Sequence, residues 1–266
     1  MYHVPELSIL GMVVSLIISF GTPIALCIIA RKKLNAKLRP VLIGAVAFIV
    51  FVTMLESIMH SLVVTATGDL LTGNVWLYAL YGGLAAGLFE ETGRYIAMKY
   101  YMQKTLTKQN SIMYGIGHGG MEAILVAGMA AIYNISTAFI INAGNIESLL
   151  VGLDDAEKST VMEQLTVLWT LPSYQFYMSG LERISAIILH IALSYLVYRA
   201  VKYQKMQFYF LAFGIHFLVD ALTVILSSYL SALTYGTLIL EIVLLAIMVA
   251  LAFVVKNLYQ KEKDET

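Results

Sequence analysis

Histidine and carboxylate residues interrupt stretches of the chain that are otherwise apolar. Residue type and spacing single out three groups: Glu90, Glu91 and Arg94; His118 and Glu122; His216 and Asp220. An ionisable side chain at the centre of a membrane helix costs about 2.5–3.5 kcal/mol on insertion scales, so clustered ones should face a protein interior and serve a function. A carboxylate beside a histidine, in a pocket that excludes bulk water, can take a proton from water and make it nucleophilic. These residues therefore predict a polar reaction site inside the membrane.

The adjacent pair Glu90 and Glu91 supplies the candidate general base. Because successive residues of a helix point about 100° apart, only one of the two can face the site fully, and Glu90 is the first choice. The other is expected to bind Arg94 or a neighbouring helix. Arg94 lies about one turn later, near a helix end where the dipole favours a cation, so we expect it to compensate charge.

Two histidines are each followed by a carboxylate four residues later, His118 by Glu122 and His216 by Asp220. This spacing places both side chains of a pair on one helix face, about 5–6 Å apart at Cβ. Glycines flank His118 and allow a helix or a substrate backbone to approach closely, with tight packing alone as the alternative explanation. His216 could stabilise an oxyanion, with Asp220 fixing its tautomer or ordering a water.

Further ionisable residues are expected to support the site. Glu182 precedes His190 by eight residues on nearly the same helix face, so it could position this histidine or pair with an adjacent span. Glu56 and His60, four residues apart, are expected to satisfy one another.

The histidines also permit a metal. His118, His190 and His216 with a carboxylate are the ligand types of a catalytic zinc site with an open position. The sequence allows Zn²⁺ or another divalent metal but does not require one, because no His-Glu-x-x-His helix is present. The single cysteine excludes a multi-cysteine zinc site and an internal disulfide.

The composition predicts the elements that hold these residues. Hydrophobic residues make up 59% of the 266 and charged residues only 13%, against about 25% charged in an average soluble domain. Apolar runs of about 20 residues recur along the whole chain, with no room for a soluble domain between them. We therefore expect an all-α, polytopic membrane bundle formed by one integral domain over residues 1–266.

We predict seven membrane spans, at residues 7–30, 40–65, 75–98, 111–140, 176–199, 206–227 and 232–256. Basic residues concentrate in the connectors 31–39, 99–108 and 199–205 and in the tail from residue 256, whereas the alternate connectors lack Lys and Arg or are acidic. Since cytoplasmic loops carry the excess of Lys and Arg, the N-terminus is predicted outside and the C-terminus in the cytoplasm. The long connection 144–172 is predicted to hold a short helix on the outer interface, with an eighth span as the alternative.

With this orientation, the position of a residue along its span gives its depth in the bilayer. A helix rises about 1.5 Å per residue, which places Glu90, His118, Glu122, His190 and His216 about 10–16 Å from the cytoplasmic ends of their spans. Four helices thus bring ionisable groups to one level. The agreement favours one shared site in the cytoplasmic half of the bilayer.

At these residues the chain resembles the intramembrane CAAX-protease and bacteriocin-processing superfamily, and within it the YhfC branch. The matching motifs are Glu90-Glu91-Thr92-Gly93-Arg94, Tyr114-Gly115-Ile116-Gly117-His118 and His216-Phe217-Leu218-Val219-Asp220. The resemblance covers a catalytic core of about residues 75–227. It implies that Glu90 or Glu91 activates water with the help of His118, and that His216 and Asp220 stabilise the oxyanion. Glu122, Glu182 and His190 are additions that the wider family does not require.

The motifs and the resemblance together predict an intramembrane endopeptidase, metal-assisted or not, that hydrolyses a peptide bond of a membrane-associated protein. The alternative is a cation- or proton-coupled transporter, or a bacteriocin-immunity-type membrane protein, using the same residues. The expected partners are the bilayer and a membrane-associated peptide or protein, and no nucleic acid. The resemblance implies the inner or plasma membrane of a prokaryotic cell as the location.

Overall fold

The structure, a computed structural model, describes residues 2–262. Its main helices are α1 (Glu6–Leu34), α2 (Arg39–Thr67), α3 (Val75–Ile96), α4 (Lys108–Asn142), α5 (Asp155–Thr170), α6 (Tyr174–Lys202), α7 (Gln207–Leu230) and α8 (Gly236–Lys261). One further helical turn, Asp69–Thr72, and two 3₁₀ segments, Gln103–Thr105 and Ile146–Leu149, lie in the connections. The described residues contain no β-strand, which confirms the all-α class.

Each predicted span coincides with a long helix. Six of these helices, all but α3, are long and apolar enough to cross a membrane. Helix α3 has 22 residues, but Glu90, Glu91 and Arg94 lie in it and lower its apolar character. The polytopic membrane bundle is confirmed, while the number of seven spans and the orientation stay predictions.

Local signals fix where the helices that carry the site begin. The side chain of Asn74 accepts hydrogen bonds from the backbone N–H groups of Trp76 and Leu77, at 3.0 and 3.2 Å, and starts α3. Thr107 caps α4 in the same way through the N–H of Asn110 at 3.2 Å. These caps satisfy backbone donors that have no partner within the helix.

Three π-helical segments widen the helices around the site. They are Ile49–Glu56 within α2, Ala97–Tyr101 directly after α3, and Ile124–Gly128 within α4. A π-helical turn changes the angular register of the side chains that follow it, and such turns are frequent at functional sites. The α4 segment begins directly after the turn that carries His118 and Glu122.

Helix α6 forms the centre of the bundle. It packs against α1, α4, α7 and α8, and 67% of its apolar stretch is buried, against 17–33% in the other five helices that are long and apolar enough to cross a membrane. Its Leu193, Tyr195 and Val197 belong to the main apolar core. His190 therefore lies on the most buried of the candidate membrane helices.

The connection between α4 and α6 contains the expected short helix. Asp154 and Glu157 form a capping box at the start of α5, and Leu165 and Leu168 pack against Met12 and other apolar residues of α1 and α4. Helix α5 is not among the helices that are long and apolar enough to span a membrane.

Candidate active site

A polar cavity of about 120 Å³ lies between α3, α4, α6, α7 and α8. Its polar lining consists of Glu90, Glu122, Glu182, Ser185, His190, His216, Asp220 and Thr223. Its apolar lining consists of Ala186, Leu189, Val219, Leu244 and Met248. A space of this size and polarity can hold several water molecules, each with polar partners.

Glu90 occupies the centre of the polar wall. Its Oε2 lies 2.9 Å from His118 Nε2 and 3.8 Å from His190 Nδ1. Its Oε1 lies 3.8 Å from His216 Nε2. One carboxylate from α3 thus faces three histidines from α4, α6 and α7.

Glu91 lies behind this wall and does not line the cavity. His216 Nδ1 lies 2.8 Å from Glu91 Oε1, and Arg94 Nε lies 3.3 Å from Glu91 Oε2. Arg94 is fully buried and also donates to the carbonyl oxygen of His190 and to Ser194 Oγ, both at 2.8 Å. The expected charge compensation by Arg94 is therefore what the geometry shows.

His190 lies between two charged partners. Its Nδ1 is 3.0 Å from Arg94 Nη2, and its Nε2 is 2.5 Å from Glu122 Oε2. The other oxygen of Glu122 accepts a 2.7 Å hydrogen bond from Arg183 Nη1. Arg183 also pairs with Glu182 through Nε and Nη2.

His118 lies deeper than the cavity lining. Its Nε2 lies 2.9 Å from Glu90 Oε2, while its Nδ1 is buried and has no hydrogen-bond partner among residues 2–262. Phe48 contacts the ring edge-on and Tyr114 stacks on it, with centroids 5.3 and 6.1 Å away. The histidine can orient the Glu90 carboxylate from behind.

The donor set that could hold a metal ion differs from the three predicted histidines. Glu90, His190 and His216 each offer a ligand atom, all of them within 4.8 Å of one another, and all three residues are buried. His118 stands outside this set. One carboxylate and two imidazoles are suitable ligands for zinc and similar divalent ions.

Asp220 borders the donor set. Its Oδ2 lies 3.6 Å from His216 Nε2, and about a third of its side chain, 34%, is accessible. The carboxylate lines the cavity, where it can accept a hydrogen bond from a water molecule or a substrate.

Glycines of α4 allow the close contact with α6 that brings His190 to the site. A methyl group at Gly115 would lie 2.6 Å from Ile191 Cα, and one at Gly119 would lie 3.1 Å from Ile187 Cα. Gly115 and Gly119 thus serve helix packing, which is one of the explanations that the sequence left open.

Other predicted supporting residues lie around the centre. Glu182 lines the cavity but pairs with its neighbour Arg183 rather than with His190. Glu56 and His60 contact each other at 3.1 Å, as expected, and His60 Nδ1 also lies 2.8 Å from the Tyr81 hydroxyl.

Seven lining residues were not predicted as site residues from the sequence: Ser185, Ala186, Leu189, Val219, Thr223, Leu244 and Met248. Leu244 and Met248 belong to α8, beyond the predicted catalytic core of residues 75–227. An apolar residue in an apolar helix carries no sequence signal that could have identified it.

Buried histidines and carboxylates from several membrane helices, arranged around a cavity, define a polytopic membrane protein with a cluster of side chains that could hold a metal ion. The sequence profile of the YhfC intramembrane metalloprotease family matches residues 16–244, and the chain belongs to this family. The YhfC assignment is thereby confirmed, and the wider superfamily placement stays a prediction.

A curated relative supports the assignment. The chain is 39% identical over 206 residues to "Uncharacterized membrane protein YhfC" of Bacillus subtilis (strain 168), a match covering 76% of this chain and 79% of the relative. No solved structure matches the chain significantly. The protein is thus a multi-pass membrane protein.

Proposed function

We propose that the protein is an intramembrane metalloprotease that hydrolyses a peptide bond of a membrane-associated protein or peptide. The observation that carries the proposal is the position of Glu90 beside histidines from three other helices at the wall of the cavity. Under the predicted orientation, this site lies in the cytoplasmic half of the bilayer.

Glu90 is the proton acceptor in this proposal. Its Oε2 is held by His118 Nε2 at 2.9 Å, whereas His216 Nε2 lies 3.8 Å from its Oε1, beyond hydrogen-bond distance. Oε1 can therefore take a proton from a water molecule in the cavity. The water oxygen bonds to the carbonyl carbon, the peptide C–N bond breaks, and the proton on Glu90 passes to the leaving amine.

Glu90, His190 and His216 are the residues that would hold the metal. A divalent ion bound there would supply a Lewis acid that polarises the substrate carbonyl. A carboxylate has two oxygens, so Glu90 can bind an ion through one and accept a proton through the other. The fit is supported by the buried, mutually close donor atoms of these three residues.

His216 was expected to stabilise an oxyanion, and its surroundings favour the ligand role. Its Nδ1 is turned to the buried Glu91 carboxylate, so the ring proton belongs on that side and Nε2 presents its lone pair to the cavity. Asp220, 3.6 Å from Nε2, is placed to order a water or the substrate.

The test is to compare the unsubstituted protein with Glu90→Gln, each reconstituted with a bacterial membrane protein extract. We expect new peptide termini only with the unsubstituted protein, together with about one bound divalent ion per chain by elemental analysis. Ion uptake into liposomes without any new termini would instead support the transporter alternative and overturn the proposal.

A further inference from the structure

The polar lining of the cavity carries an excess of negative charge. It includes four carboxylates, those of Glu90, Glu122, Glu182 and Asp220, whereas no Lys or Arg lines it among residues 2–262. A cleft lined by charges of one sign within low-dielectric walls concentrates the field and attracts groups of the opposite sign. The cavity therefore favours a substrate with a positive charge.

One cation is shared by two of these carboxylates. Arg183 Nη1 donates to Glu122 Oε1 at 2.7 Å, and Arg183 Nε donates to Glu182 Oε2 at 2.8 Å. Asp220 is in a different situation. The ion pair that the described part of the chain gives it is with His216 Nε2 at 3.6 Å, beyond hydrogen-bond distance. The Asp220 carboxylate is thus the one best placed to accept from a substrate.

Glu90 adds a buried carboxylate that points into the same space. The residue is only 7% exposed, and its Oε1 lies 3.8 Å from His216 Nε2, beyond hydrogen-bond distance. A divalent ion at the three candidate ligands would supply two positive charges, and Arg183 supplies one. The four lining carboxylates together exceed these charges by one. Because a buried charge without a partner is costly, a substrate that brings one positive charge should be favoured.

The apolar lining fits the remainder of a basic side chain. Val219 directly precedes Asp220, and α6 and α8 contribute Leu189, Leu244 and Met248 to the same cavity. Lys and Arg side chains bury their aliphatic stems along apolar surface while the charged head stays at a polar group. About a third of the Asp220 side chain, 34%, is accessible, so a cation that enters the cavity can reach its carboxylate.

We propose that Asp220 is a specificity-determining residue that binds the positively charged side chain of a Lys or Arg next to the cleaved peptide bond. Its carboxylate accepts charge-assisted hydrogen bonds from this side chain, while Glu90 accepts the proton of the water. The inference rests on the proposed metalloprotease function and names its substrate class, membrane-associated peptides with a basic residue beside the cleaved bond.

The first test uses the unsubstituted protein reconstituted with a bacterial membrane protein extract. Lys and Arg should be enriched beside the new peptide termini, relative to their frequency in the membrane proteins of the extract. New termini without this enrichment would overturn the inference and leave the protease proposal intact. The absence of any new terminus would overturn the protease proposal itself.

A matched peptide pair then tests the assignment to Asp220. The two peptides copy a cleaved sequence and carry either Lys or the uncharged norleucine beside the cleaved bond. The unsubstituted protein should cleave the Lys peptide with a kcat/KM at least about tenfold higher, because a hydrogen bond to a charged group contributes this much. The ratio should fall to about one in Asp220→Asn and be largely retained in Asp220→Glu, which keeps the charge. A general loss of activity affects both peptides and cancels in the ratio.

Glu182→Gln is the matched control, because it neutralises a lining carboxylate that Arg183 already pairs with. Its ratio should stay close to that of the unsubstituted protein. An undiminished ratio in Asp220→Asn, or an equal fall in Glu182→Gln, would overturn the assignment. Thermal unfolding in detergent shows which variants are folded. If Asp220→Asn does not fold, the unsubstituted protein and Asp220→Glu decide, and a ratio near one in either overturns the inference.

Discussion

Glu90 and Glu91 are neighbours in the chain but have opposite surroundings: Glu90 lines the cavity, whereas Glu91 is fully buried between Arg94 and His216. Neutralising Glu90 should therefore impair hydrolysis, whereas neutralising Glu91 should impair stability. Glu90→Gln should lose at least about a hundredfold in hydrolysis, since it removes the proposed base, a contribution of about 10²–10⁴. Its thermal unfolding midpoint should stay close to that of the unsubstituted protein. Hydrolysis by Glu90→Gln at the normal rate would remove Glu90 as the proton acceptor.

The pair of Glu91 and Arg94 should act as a structural unit. Glu91→Leu or Arg94→Met alone leaves a buried charge without its partner, which costs about 3–5 kcal/mol. The double variant removes both charges, so its loss of stability should be smaller than the sum of the two single losses by about 0.5–3 kcal/mol. Denaturant unfolding in detergent gives the three values. Strictly additive losses would show that the two side chains do not depend on each other.

The approach of α4 to α6 should be sensitive to a single methyl group. In Gly115→Ala the new Cβ would lie 2.6 Å from Ile191 Cα and 2.9 Å from the carbonyl oxygen of His190, to which Arg94 donates. The helices must separate, at a cost of about 1–3 kcal/mol, and His190 should move with them and weaken metal binding. Gly214→Ala on α7 is the control, because a Cβ there meets nothing within 4 Å.

The control should change stability in the opposite direction. Alanine is favoured over glycine inside a helix by about 1 kcal/mol, so Gly214→Ala should be neutral or stabilising. Thermal unfolding and a Zn²⁺ titration of both variants check the pair. A Gly115→Ala protein as stable as Gly214→Ala, with the same Zn²⁺ affinity, would show that the helix contact tolerates the methyl group.

The sequence was sufficient to predict the helical bundle and the residues that meet in it. Ionisable side chains are so costly in lipid that Glu90, His118, His190 and His216 had to face the interior, and their matched depths implied one level. A linear sequence does not, however, give the rotation of each helix about its axis. For this reason the sequence could not show that Glu91 turns away from the cavity, nor that His118 lies behind Glu90 rather than among the candidate metal ligands.

Side-chain contacts between residues far apart in the chain were the second feature that the sequence could not predict. Glu122 is four residues from His118, and this spacing suggested that they form a unit. In the structure the Glu122 carboxylate instead contacts His190 of α6 and Arg183. Contacts between helices are set by packing, as at Gly115, and the spacing within one helix does not encode them.

Helix α8 should control what fits in the site, although the residues that it contributes to the lining, Leu244 and Met248, are apolar. Met248 is 1% exposed and lines the cavity, whereas the next residue, Val249, is 42% exposed on the outside of the bundle. Met248→Trp should fill part of the cavity of about 120 Å³ and lower hydrolysis by at least about tenfold, about 1.4 kcal/mol in transition-state binding. Zn²⁺ affinity should be retained, since no donor residue changes.

Val249→Trp adds the same ring on the outer face and should leave both hydrolysis and metal binding unchanged. If Met248→Trp hydrolyses substrate as fast as Val249→Trp, the reaction does not take place in this cavity, whatever the role of the histidines.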